Sequence, residues 1–190
     1  MKKVVVLFIS ILIILVVSGC EVKKAEKVTD SEKFAAEYSV SDNNPYEYSN
    51  IDEILKIFDG GTGIVFLADS DCEWCSATAK VFTDALNYKN VSKVYYYNPK
   101  KIRDKNTKSY KKLVSILKDY LQTDEDNNPY LYLPDIYFVK NGKIIGHNND
   151  TATMNGSVDE ALNKKTKKEL KNKYIELISK YNVKECSGGC

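Results

Sequence analysis

The stretch "GIVFLADSDCEWC", residues 63 to 75, restricts the fold more than any other part of the chain. Gly63 to Ala68 is a continuous apolar run rich in branched and aromatic side chains, the pattern of a strand buried on both faces. Directly behind it, Ser70 and Glu73 have the spacing of a capping box. Cys75, Thr78, Phe82, Ala85 and Leu86 then recur three and four residues apart, which predicts a helix to about Asn87. A central strand feeding straight into a helix belongs to a layered α/β domain. It also places Cys72 and Cys75 one helical turn apart at the helix mouth.

The rest of the chain supplies the other layers. Asn50 and Glu53 form a capping box for a short helix, "IDEILKIFD", which Gly60 and Gly61 stop. "KVYYYN", Lys93 to Asn98, reads as a second strand, its tyrosines suited to a sheet covered on both faces. A helix over about Thr107 to Leu121 sets Tyr110, Leu113, Val114, Leu117 and Tyr120 on one face, and the polar "QTDEDNNPY" ends it. "PDIYFVKNGKIIGH" is a hairpin turned at Asn141-Gly142, a pair that tolerates positive φ. Thr166 and Glu169 open a last helix to Tyr181, with Leu170, Tyr174, Leu177, Ile178 and Tyr181 inward. With an early strand near Tyr46 to Tyr48, this order predicts a central mixed sheet with helices on both faces and an inserted helical region after the third strand.

The N-terminus reads differently. Lys2 and Lys3 precede an apolar run from Val4 to Val17 that closes on Ser18, Gly19 and Cys20, so residues 1–19 form an export signal. The run is short for a membrane span, although an uncleaved anchor is the alternative; both place the remainder outside the cytoplasm. Residues 20–45 are polar and charged, with room for a short helix at Ser31 to Tyr38, and read as a tether. The folded domain is then expected over 46–182, with 183–190 as a tail.

Loss of Lys2 and Lys3 leaves 26 basic side chains against 26 acidic ones, and no basic face of the kind that grips nucleic acid is expected. The dense patch "KKTKKELKNK", 164 to 173, alternates with an apolar helix face and reads as solvated surface.

Among five cysteines, Cys72 with Cys75 and Cys186 with Cys190 form two close pairs. In an oxidising compartment such pairs point to thiol–disulfide exchange or to bracing disulfides. Exchange needs a thiolate that attacks a sulfur and a second thiol to resolve the mixed disulfide. A helix N-terminus favours the thiolate of Cys72, the more exposed member, which makes it the nucleophile and Cys75 the resolving thiol. Asp71 and Glu73 oppose a further negative charge there. A static disulfide or half a zinc site remains the alternative for the pair, with His147 and the remote Cys186 and Cys190 as candidate further ligands. "CSGGC", Cys186 to Cys190, either passes electrons to the first pair or closes a tail disulfide. His147, the only histidine, is expected at a strand end on the surface, with a metal-ligand or proton-donor role as the alternative. Trp74, between the cysteines, is expected to line a docking surface.

In these residues the chain resembles the thioredoxin superfamily: "CEWC" at a strand-to-helix junction, then Pro134 opening a later hairpin, with "FVKNG" after it. The likeness covers roughly residues 46 to 181. It implies a thioredoxin-like fold, catalytic Cys72 and Cys75, no cofactor, and a cis-proline at Pro134, with Leu133 offering its backbone to an incoming peptide. An ordinary trans proline at a strand's first residue is the alternative. The leader ending "VSGC" resembles a bacterial lipobox, which implies that Cys20 carries lipid. Together with the "NPKKIRDKNTKSYKKL" insertion, the chain is similar to thioredoxin-like lipoproteins of Gram-positive bacteria labelled bacteriocin transport accessory proteins. The implied protein is a membrane-anchored thiol–disulfide oxidoreductase on the outer face of the cell membrane, acting on exported proteins and served by a membrane redox partner. The competing expectation is a binder: a copper or zinc chaperone using Cys72, Cys75 and His147, or a bacteriocin-export accessory protein. Two departures from the superfamily pattern stand out. Phe66 occupies the place of the strand's buried acid, and Glu-Trp that of Gly-Pro.

Overall fold

The computed structural model of the protein describes residues 28–182; residues 1–19, expected to be an export signal, and Cys20, Cys186 and Cys190 lie outside the described residues. Helices α1 (Asp30–Tyr38), α2 (Ile51–Phe58), α3 (Glu73–Tyr88), α4 (Lys100–Asp104), α5 (Lys108–Leu117), α6 (Val158–Ala161) and α7 (Lys164–Asn182) surround the strands. These are β1 (Tyr46–Tyr48), β2 (Gly63–Leu67), β3 (Val94–Tyr97), β4 (Gln122–Thr123), β5 (Pro129–Tyr130), β6 (Asp135–Lys140) and β7 (Lys143–Asn148). The main sheet has the order β1-β3-β2-β6-β7, with β1, β3 and β2 parallel and β6 and β7 antiparallel to their neighbours. This is a thioredoxin-like α/β fold. α4, α5 and the small β4-β5 pair form the insertion after β3. No helix among the described residues is long and apolar enough to cross a membrane.

β2 is central and buried along its whole length, as its unbroken apolar run requires. Alternate residues feed two cores. Ile64 and Phe66 face the layer that holds α1, α3 and α7, while Val65 and Leu67 face α2 and α5. Asn141 and Gly142, at φ 48° and 73°, make the hairpin turn that the sequence predicts.

Residues 30–38, expected to belong to a tether, are instead part of the folded unit. α1 carries a capping box from Thr29 and Glu32, and its Phe34 and Tyr38 have no exposed surface. The Phe34 ring stacks on Tyr46 at 3.7 Å between centroids, and the Tyr38 hydroxyl lies 2.9 Å from that of Tyr96. Three apolar side chains on one face suffice to dock an otherwise charged segment, so the folded unit begins at α1 rather than at residue 46.

The last helix is also capped differently. Asn163, not Thr166, accepts the N–H groups of Lys165 and Thr166, so α7 begins two residues before Thr166. That leaves Leu170, Tyr174 and Ile178 buried as expected.

Candidate active site

Cys72 caps the helix it precedes. Its backbone is extended, and its sulfur accepts the N–H of Cys75 at 3.3 Å. The expected Ser70–Glu73 capping box is not the device used. The Asp69 carboxylate accepts the N–H of Asp71 at 3.3 Å, and the Asp69 carbonyl that of Cys72 at 3.1 Å. This tight turn takes up Ser70 and delays the helix to Glu73. Its effect is to aim an otherwise unpaired helix donor at a sulfur.

The two thiols have opposite surroundings. Cys72 is partly exposed, whereas Cys75 has no exposed surface and its sulfur accepts the N–H of Asp69 at 3.5 Å. A hydrogen bond from the Cys75 thiol lowers the pKa of Cys72 to about 7. Partial burial works against this shift, and the N–H groups of Cys75 and Trp74 assist it. Cys75 keeps its proton and donates it to the Cys72 sulfur, and burial adds to that, so its pKa is pushed far up. Cys72 therefore ionises first and Cys75 stays a thiol while it does.

The carboxylate among the leading influences against both thiolates is that of Asp69, ahead of those of Asp71 and Glu73. Asp69 is 7% exposed, and Asn98 donates to it at 3.0 Å. Neither residue is marked by a motif; the local signal for Asp69 is an acid placed directly at the end of a buried strand. Phe66, at the place of the superfamily's buried acid, sits instead in an aromatic cluster with Phe34, Tyr46, Phe82 and Tyr96.

Trp74 and Leu133 lie close to the pair. Trp74 is partly buried against the core beneath α3, and Leu133 leans on both cores. The Leu133–Pro134 bond is cis, and the Leu133 carbonyl oxygen lies 4.0 Å from the Cys72 sulfur. Open clefts flank the site on both sides. One of about 750 Å³ runs between α3 and α7 past Asp71, Glu73, Lys80 and Lys171; the other, about 490 Å³, passes Asp69, Asn98 and Lys100.

His147 is not gathered with the cysteines. Its Nε2 lies 2.6 Å from the buried carboxylate of Asp135, and its side chain is 17% exposed. Among the described residues no three of His, Cys, Asp and Glu converge to hold a metal ion, so the trio Cys72, Cys75 and His147 is not brought together. Compared with models of known protein families and with curated proteins, the chain matches none.

Proposed function

We propose that the protein is a thiol–disulfide oxidoreductase tethered outside the cytoplasm by lipid on Cys20, acting on cysteines of exported proteins and exchanging electrons with a membrane redox partner. The observation that carries this reading is the Cys72–Cys75 arrangement. A partly exposed thiol with a pKa lowered to about 7 sits one turn from a buried thiol whose proton it shares.

In the reductive direction the Cys72 thiolate attacks one sulfur of a substrate disulfide, forms a mixed disulfide and expels a substrate thiolate. Cys75 then passes its proton to the expelled substrate thiolate and attacks the Cys72 sulfur, which releases the second substrate sulfur as a thiolate that solvent protonates. The protein ends with a Cys72–Cys75 disulfide, having given up two electrons, and the substrate with two thiols. A dithiol of the redox partner restores the starting state; the same steps in reverse oxidise a substrate dithiol. Trp74 and the backbone of Leu133 supply the surface on which a peptide lies, and the clefts that share Ser70 and Asp71 leave room for chain nearby.

The test is exchange with a disulfide-containing peptide. Wild type turns over, Cys72→Ser does not, and Cys75→Ser accumulates a mixed disulfide through Cys72. Absence of turnover in the wild type with every peptide and partner dithiol tried refutes the proposal.

A further inference from the structure

The thiol chemistry leaves one buried charged network unused. Asp135, which has no exposed surface, accepts the hydroxyl of Tyr137 at 2.6 Å and faces Nε2 of His147 at 2.6 Å. The His147 ring stacks on Tyr137, with centroids 4.7 Å apart, and meets the edge of Tyr120 at 5.5 Å. An apolar residue would fill the place of Asp135 without the cost of burying a carboxylate, so the network implies a role beyond packing.

Its assembly depends on an irregularity in the hairpin. Val139 pairs with Ile144, but past a bulge Phe138 pairs with Gly146 and Tyr137 with His147. A regular hairpin would set His147 opposite Ile136, on the other face of the sheet; the extra residue turns it toward Asp135. Asp135 directly follows Leu133–Pro134. At the other end of this segment, Nη1 of Arg103 donates to the Leu131 carbonyl at 3.2 Å, and its guanidinium lies over the Tyr130 ring.

We infer that His147 with Asp135 on one side, and Arg103 on the other, are positioning residues that clamp the 131–135 segment so that the Leu133 backbone is fixed where a substrate peptide docks beside Cys72. This rests on the reading above and names the machinery of its substrate site. The clamp acts on peptide binding rather than on sulfur chemistry, because the leading influences on the Cys72 thiolate are the Cys75 thiol, partial burial and the N–H groups of Cys75 and Trp74, none of which His147, Asp135 or Arg103 supplies.

The test compares full-length wild type with His147→Ala, His147→Gln and Arg103→Ala. It reads amide hydrogen exchange over residues 130–137, alkylation of Cys72 by iodoacetamide at fixed pH, and KM and kcat for a disulfide-containing peptide. His147→Ala and Arg103→Ala should each speed exchange in that segment and raise KM about tenfold, with kcat and alkylation within about twofold of wild type. His147→Gln, whose amide can still donate to Asp135, should restore most of the loss. Unaltered exchange over the segment in both alanine variants overturns the inference, as does an unchanged KM in a protein that turns over. So does a uniform gain in exchange across the whole sheet in both variants. If the wild type turns over no peptide, the redox reading falls, and segment exchange alone decides whether the clamp exists.

Discussion

The amide of Cys75 points at the sulfur of Cys72 across 3.3 Å, so the buried cysteine's backbone supports charge on the exposed one. The Cys75 thiol donates to the same atom, and both contacts favour the thiolate form of Cys72 over the thiol. The consequences are measurable in the reduced protein.

Stability should depend on pH through this pair. A thiol whose folded pKa is about 7, against an unfolded value of about 8.5, stabilises the fold above the unfolded value and loses that contribution as pH falls through 7. For a partly exposed group the gain is about 1 kcal/mol after allowance for solvent screening. Cys75, shifted upward, has the opposite sign: its contribution is complete below its unfolded pKa and is lost as pH rises toward its folded one. Urea denaturation of the reduced protein should therefore show stability increasing between pH 7 and about 8.5, with the slope flattened in Cys72→Ser. An equal slope in that variant contradicts the assignment.

Asp69 opposes ionisation of both thiols from a nearly buried position. Asp69→Asn keeps the size of the side chain and removes its charge. The Cys72 thiol should then titrate lower by about half a pH unit, read from thiolate absorbance. An upward movement would mean that the turn through Asp71, not the charge, is what Asp69 contributes.

α1 should matter to folding as core rather than as linker. Phe34→Ala removes a ring with no exposed surface from a stack with Tyr46 and Tyr38, at an expected cost of about 3–5 kcal/mol in urea denaturation. Truncation before Val28 should leave stability unchanged, whereas truncation through residue 45 should not. A cost below about 1 kcal/mol for Phe34→Ala would mean that α1 is not part of the core.

What the sequence made legible follows from which signals are local. The unbroken Gly63–Ala68 run, the three-and-four spacing behind Cys75 and the Asn141-Gly142 turn each encode an element within a dozen residues, and all three elements are present. α1 was visible as a helix, but its docking was not, because Glu32, Lys33 and Glu37 dilute a face carried by only Phe34, Ala35 and Tyr38. At the start of α3, Ser70 and Glu73 satisfy the spacing of a capping box, but the turn closed by Asp69 takes precedence. Asp135 and His147 were out of reach for a different reason. Polar pairing across a hairpin depends on register, and one bulge residue moves His147 from one face of the sheet to the other.

The central claim is an activated Cys72 beside a silent Cys75, and the pH dependence of alkylation tests it most directly. Fully reduced protein is treated with iodoacetamide from pH 5 to 10 and the modified cysteine is identified at each pH. The account predicts modification of Cys72 alone, with a rate midpoint of about 7, and Cys75 untouched until the protein unfolds. A midpoint near that of an ordinary thiol, about 8.5, or equal modification of both cysteines, would contradict it.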